Sequence, residues 1–329
     1  MSAKGWKRVR RAARVAFIVA LVRLLGRVPL RAALVLGATL GRLAWLLSPG
    51  VRRDTRASLA VAFPEKPAAE RDRIGRASLV HLGRVAAEAV TLPRWLPRLD
   101  ARVAVAPGAL ALVERARARG KGIVLVLGHI GNWELTCRLS RCVQPNAAIA
   151  KRSWHPRLDA LAEELRARTA VQTYWRDDPA TGRRMLKLFR AGGTLGILID
   201  QDIAGVQNVF VPFFGRLAAT PRAAGDLALR FDATLLVITC ARQPGDGHLL
   251  EVVEVPHHAS APDREAEVVR LTAACAAVQE AAIRRHPEEW VWMHQRWKTR
   301  PPDARPEAAR PAPAPGGAPA TGGAAEARG

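Results

Sequence analysis

The stretch Ile123-Val124-Leu125-Val126-Leu127-Gly128-His129-Ile130-Gly131-Asn132-Trp133-Glu134 decides how this chain is read. Its first five residues are an apolar, β-branched run that ends at glycine, the composition of a strand. Gly128 and Gly131 permit the sharp turn of a strand-to-helix junction, and Asn132 is a favoured N-cap for a helix running through Leu135 and Leu139. His129 then falls on the loop and Glu134 in the first helical turn, where the positive end of the helix dipole favours a carboxylate. A carboxylate facing an imidazole fixes its tautomer and raises its basicity, which makes His129 a candidate general base. The plainer alternative is a hydrogen-bonded core histidine beside an ordinary first-turn acid.

Outward from this junction, apolar periodicity predicts helices over 69–90 and 109–118, then a helix at 133–141, a strand at 147–150 and a helix at 156–168. Further on it predicts a helix near 180–191, a strand at 194–199, a helix over 221–231, strands at 234–240 and 249–255, and a helix at 264–285. The alternation reads as an α/β fold, with catalytic groups gathered at strand ends. No internal repeat points to a solenoid.

The chain has 329 residues, 49% of them hydrophobic, enough for one large core and too apolar for wholesale disorder. Its 51 Lys and Arg against 29 Asp and Glu give a formal net charge of +22. That excess suits polyanionic partners: nucleic acid, an anionic membrane, a phosphorylated lipid or an acidic carrier protein. Cys137, Cys142, Cys240 and Cys275 form no Cys-x-x-Cys pair, so neither a zinc site nor a disulfide framework is indicated, and the chain reads as reduced and cytoplasmic-facing. No small-residue cleavage site follows an early apolar run, and no secretory signal is expected.

Lys4, Lys7, Arg8, Arg10, Arg11 and Arg14 precede an apolar run from Val15 to Val22, and a second run from Ala32 to Leu47 is broken by Arg42. Neither reaches the ~18 uninterrupted apolar residues of a confident transmembrane helix. Residues 1–50 are therefore expected to form membrane-associated helices, interfacial or marginally inserted, their basic side chains snorkelling toward anionic phosphates, the plainer alternative being a surface helix pair packed on the domain. Residues 51–300 are expected to form the α/β domain. From 301 to 329 the chain is Pro, Ala, Gly and Arg, a composition that cannot repay its ordering entropy, and it reads as a disordered tail.

Asp200-Gln201-Asp202 follows the strand at 194–199, where α/β proteins gather ligand groups, although a strand-terminating Asp turn has the same appearance. Lys151, Arg152, Arg157, Arg166 and Arg168 would present cations near His129, suited to phosphates or to a developing oxyanion, or would simply form a solvated basic face. Val209 to Gly215 holds Phe210, Phe213 and Phe214, which either wall an acyl-chain groove or fill the core. The segment from Trp290 to Lys298 interleaves aromatics with cations, a pattern that on its own also suits single-stranded nucleic acid.

Taken together these segments resemble the late acyltransferases of lipid A biosynthesis, within the larger glycerolipid acyltransferase group that shares a His-(x)4-Glu/Asp motif. The resemblance runs over residues 50–301. It includes Phe63-Pro64-Glu65, Gly128 to Glu134, Lys151 with His155-Pro156 and Leu158-Asp159, Asp200-Gln201-Asp202, Val209 to Gly215, and His286 through Trp292-Met293-His294 to Pro301. It implies a glycerol-phosphate acyltransferase-like mixed sheet flanked by helices, behind N-terminal membrane-associated helices. It also implies that His129 and Glu134 are the catalytic pair and that Arg166 and Asp200 serve activity. Lys151 falls where the family usually has arginine, Ser58 where asparagine is common, and Asp-Gln-Asp where some members carry Asp-His-Asp.

The implied reaction moves a fatty acyl group from an acyl thioester, an acyl carrier protein or acyl-CoA, to a hydroxyl of a lipid A precursor, a phosphorylated glycolipid, on the cytoplasmic face of the inner membrane. Such a reaction needs a base for the hydroxyl proton and donors for the oxyanion, and no metal or cofactor. Lys151, Arg152, Asn132, Asp202, Phe213 and Phe214 are the expected substrate-binding residues, and no nucleic acid is expected as a partner. Another glycolipid, such as a phosphoinositol mannoside, is the alternative acceptor, and a basic nucleic-acid- or membrane-binding protein in which His129 and Glu134 only stabilise a turn is the remote alternative.

Overall fold

The computed structural model describes residues 3–140 and 142–302. Three helices come first: α1 (Ala3–Leu25), α2 (Leu30–Leu47) and α3 (Pro49–Ala62). The long α4 (Ala68–Trp95), the single turn α5 (Leu99–Arg102), β1 (Val103–Val105) and α6 (Ala109–Ala118) lead to β2 (Ile123–Leu127). After β2 come the one-turn α7 (Cys137–Ser140), β3 (Asn146–Ala150), α8 (Pro156–Ala167), β4 (Gln172–Trp175), α9 (Thr181–Arg190) and β5 (Thr194–Leu198). A hairpin of β6 (Asn208–Phe213) and β7 (Arg216–Pro221) precedes α10 (Ala223–Phe231), β8 (Thr234–Arg242), β9 (His248–Glu254) and α11 (Arg264–Arg285).

Seven strands form one sheet in the order β1-β9-β8-β2-β5-β3-β4. Strands β8, β2, β5, β3 and β4 run parallel, while β9 turns back against β8 and β1 pairs parallel with β9, so the sheet is mixed as expected. β2 lies at its centre with β5 and β8 on either side, the position that places its C-terminal end where α/β folds bind ligands. Two apolar clusters cover the faces. One joins α9, α10 and α11 through residues such as Phe189, Leu229 and Leu271, and the other joins α4 and α6 through Leu92, Trp95 and Val113.

Several expected elements change in extent. The predicted helix at 133–141 is a 3-10 turn, Trp133–Thr136, followed by the single turn of α7. The predicted helix start at 221 moves to Ala223, because Pro221 ends β7. β1, β4 and the β6–β7 hairpin were not predicted: the first two are short edge strands, and the hairpin turns through Phe214 and Gly215, both at positive φ (52° and 71°).

Of the N-terminal helices, α2 is long and apolar enough to cross a membrane by length and composition, with a mean hydropathy of 1.5. One face of α2 packs on α4 so closely that Gly37 and Gly41 leave no room for a side chain. A Cβ on Gly37 would lie 2.2 Å from the Gly83 carbonyl oxygen, and one on Gly41 2.2 Å from that of Leu79. The other face leaves Val35, Leu36, Leu40, Leu43, Leu46 and Leu47 exposed. Beyond residue 302, the expected tail lies outside the described residues.

Candidate active site

β2 and β5 are adjacent and parallel with Leu127 opposite Leu198, so the residues two places further on, His129 and Asp200, leave the sheet side by side. The Asp200 carboxylate accepts the His129 amide at 2.6 Å and Nδ1 of the imidazole at 2.9 Å. Trp290 Nε1 donates to the same carboxylate at 2.8 Å, and Asp200 itself is only 1% exposed. Burial opposes ionisation of Asp200, but the His129 charge and these hydrogen bonds outweigh it and hold its pKa at about 2. Burial likewise opposes protonation of His129, and the charge and hydrogen bond of Asp200 with the charge of Glu134 reverse the balance, raising the imidazole above 6.5.

The hydrogen-bonded carboxylate is therefore Asp200 and not Glu134, as the motif spacing alone had suggested. Asn132 caps the Glu134 backbone N–H, while the Glu134 carboxylate lies 3.6 Å from the Arg166 guanidinium and accepts from Trp133 Nε1. Glu134 acts on His129 through its charge. Trp133 packs edge-on to the imidazole, with ring centroids 4.9 Å apart. The Gln201 amide nitrogen lies 3.3 Å from His129 Nε2 and 2.8 Å from His294 Nε2.

The turn that presents His129 is anchored from below. Gly131 has φ +61°, and a Cβ there would lie 2.0 Å from the Cys240 carbonyl oxygen, so both backbone and space demand glycine. Asn132 is fully buried, and its amide donates to Glu88, which also accepts two bonds from Arg242 at 2.9 and 2.8 Å. Burial opposes ionisation of Glu88, yet His248 and Arg242 hold its pKa at about 2. Glu289 accepts the Arg242 amide, and burial pushes its own pKa up to about 7.

A cavity of about 730 Å³ opens at these strand ends, with His129, Glu134, Arg166, Lys151 and Gln201 in its lining. The remaining lining is largely apolar and comes from both faces of the sheet. Ile149, Met185 and Leu227 border one core cluster, and Leu127, Cys137 and Leu198 the other. The arrangement sets an imidazole held at Nδ1 by Asp200 against a hydrocarbon-sized pocket lined in part by cations. Such a site can take a proton from a hydroxyl beside an apolar chain and meet the developing negative charge.

Of the expected catalytic residues, His129, Glu134, Arg166 and Asp200 come together here, and of the expected binding residues Lys151 does. The others have different tasks. Asn132 spends its side chain on the turn, while Arg152 pairs with Asp177 and stacks on Trp175. Asp202 accepts the backbone N–H and hydroxyl of Thr299, tying down the end of the described chain. Phe213 and Phe214 are buried in an aromatic cluster with Phe63, Trp290, Trp292 and Trp297, so they fill the core and do not wall the cavity. The same cluster answers the nucleic-acid reading of 290–298. Trp290 and Trp292 are 1% and 0% exposed, and the fully buried Arg296 donates to Ala219 and Thr220, leaving no aromatic face for bases.

Gln201, Trp290, His294 and Trp133 were missed as site residues. The first three stand inside the Asp-Gln-Asp and Trp-Val-Trp-Met-His segments, which were the available signal.

The family described as bacterial lipid A biosynthesis acyltransferase matches residues 4–299. A lipid A biosynthesis lauroyltransferase of Escherichia coli (strain K12) is 28% identical over 267 residues, covering 81% of this chain and 85% of that protein. A palmitoleoyltransferase of the same pathway and strain is 26% identical over 258 residues, covering 76% and 80%. A phosphatidylinositol mannoside acyltransferase of Mycobacterium tuberculosis (strain ATCC 25618 / H37Rv) is 26% identical over 266 residues, covering 75% and 78%.

Proposed function

Because this chain belongs to the bacterial lipid A biosynthesis acyltransferase family, we propose that it moves a fatty acyl group from an acyl thioester to a hydroxyl of a lipid A precursor, with His129 as the general base. The observation that carries the mechanism is the imidazole held by Asp200 at the mouth of the apolar cavity. With Nδ1 bonded to Asp200, Nε2, 3.3 Å from the Gln201 amide nitrogen, is the atom that takes the hydroxyl proton as the acceptor oxygen attacks the thioester carbonyl carbon. The carbonyl becomes an oxyanion, and Arg166 on the cavity wall is the cation suited to meet it, since the Glu134 amide is already occupied by Asn132. Collapse breaks the carbon–sulfur bond, and the thiolate takes the proton back from the imidazolium. The acyl chain occupies the apolar part of the cavity, and the lining on both sheet faces lets a second apolar group lie beside it.

The donor in this reading is an acyl carrier protein, whose acidic surface would be steered by a chain of net charge +22. The exposed apolar face of α2 supports seating at a membrane, and four free cysteines fit a reducing compartment; in this reading the reaction takes place on the cytoplasmic side of the inner membrane.

The test is to incubate purified protein with an acyl carrier thioester and either a lipid A precursor or a phosphoinositol mannoside, reading products by mass spectrometry. Acylation of the lipid A precursor, lost in His129→Ala, supports the proposal. Acylation of the mannoside alone replaces the acceptor with that of the mycobacterial relative.

A further inference from the structure

A second charged cavity lies apart from the transfer site. Arg10, Arg11 and Arg14 of α1, with Trp154 from the loop after β3, line a space of about 520 Å³. The Arg11 guanidinium sits 5.1 Å from the Trp154 ring centroid and donates to the Trp154 carbonyl oxygen, which joins helix and loop into one wall. All three arginines are exposed, and among the described residues no carboxylate pairs with any of them. Like charges on neighbouring helical positions repel, so an anion lying among them relieves that repulsion and gains charge-assisted hydrogen bonds.

The rest of α1 says what carries that anion. Arg10, Arg14, Phe17, Leu21 and Leu24 recur at alternating spacings of four and three, which puts them on one stripe of the helix. The stripe is cationic in its first half and apolar in its second, where Phe17 is 66% and Leu24 60% exposed. At the rise of an α-helix the two halves are about 13 Å apart along the axis. A helix whose apolar half enters hydrocarbon therefore keeps its arginines at the level of lipid headgroups, with Trp154 at the same boundary.

We infer that Arg10, Arg11, Arg14 and Trp154 form a binding site for the phosphate of an anionic lipid, best filled by a phosphomonoester, whose two charges several guanidinium forks can share. Which lipid delivers the phosphate rests on the proposed function; the phosphate chemistry does not. Lys151 lines the catalytic cavity and Trp154 lines this one, so the two sites are joined by three residues, at most about 11 Å of extended chain. A lipid held here by its phosphate keeps its head group beside the mouth that contains His129.

The test uses full-length protein and vesicles of phosphatidylcholine carrying either phosphatidic acid or, at equal surface charge, phosphatidylglycerol. Wild type should prefer phosphatidic acid, and added inorganic phosphate should erase the preference. Replacing Arg10, Arg11 and Arg14 by alanine should weaken binding to phosphatidic acid vesicles by about ten-fold or more. A control that removes the same charge elsewhere, Arg115→Ala, Arg117→Ala and Arg183→Ala together, should retain the preference, and Trp154→Phe should lose less than Trp154→Ala. Equal binding of the two vesicle types by wild type, or equal losses in the two triple variants, would overturn the site. Because nothing here reads acyl transfer, failure of this site and failure of the proposed reaction are separate results.

Discussion

His129 and Asp200 come from different strands, 71 positions apart in sequence, yet they are joined twice: through the His129 amide and through its imidazole Nδ1. One carboxylate thus fixes both the backbone and the ring of the proposed base. His129→Ala should lower acyl transfer by roughly 10²–10⁴-fold with the fold retained, measured as turnover beside a circular dichroism spectrum. Asp200→Asn should cost a comparable factor, because the amide can present its donor to the ring and leave the wrong tautomer.

The pH profile should carry the same signature. The base must be neutral, so kcat/KM in wild type should rise with pH along a limb set by His129, above its ordinary value of 6.5. Removing the Asp200 charge should move that limb to lower pH, and Glu134→Gln should move it the same way by less, since Glu134 acts by charge alone. A Glu134→Gln limb displaced further than that of Asp200→Asn would contradict this division of roles.

Gly131→Ala should be severe. Its Cβ would have to enter the space of the Cys240 carbonyl oxygen from a left-handed backbone, a combined cost of at least about 3 kcal/mol. Urea denaturation should show the loss, and activity should fall with it because the turn carries both His129 and Glu134.

Glu289 predicts a pH-dependent stability. Its pKa in the fold is about 7 against an ordinary 4.5, so its neutral form is the one the buried site accepts. The stability tied to that form is fully present below about 4.5 and is lost as pH rises through about 7, a difference of roughly 3 kcal/mol. Glu289→Gln keeps an acceptor for the Arg242 amide and cannot ionise, so its melting temperature should decline less than that of wild type between mildly acidic and mildly alkaline pH.

Met185 and Leu227 line the cavity and also pack on the core beneath it, which makes them part of its floor. Leu227→Trp should shift the preferred donor toward shorter acyl chains, read as product mass in competition between thioesters of different length. An unchanged chain-length distribution would remove the acyl chain from this side of the sheet.

What was legible in the sequence was local. The strand before Gly128, the cap at Asn132 and the histidine on the turn each follow from a few consecutive residues, and each stands where expected. The partner of His129 was not local, because it depends on β2 lying beside β5, a pairing that no short window encodes. Asp202 and Asn132 have the chemistry of ligand-binding residues, and only tertiary contacts show that Thr299 and Glu88 consume it. Phe213 and Phe214 illustrate the same limit for apolar residues, since a pocket wall and a packed core have the same composition.

The three glycines at the crossing of α2 and α4 join the apolar helix to the rest of the fold with backbone pressed on backbone, where a flexible tether would otherwise be. A helix so joined cannot lean toward a substrate that floats at the wrong depth. In the proposed seating at a membrane, the altitude of the catalytic mouth above the leaflet is then a built-in dimension, to which an acceptor would have to be hoisted.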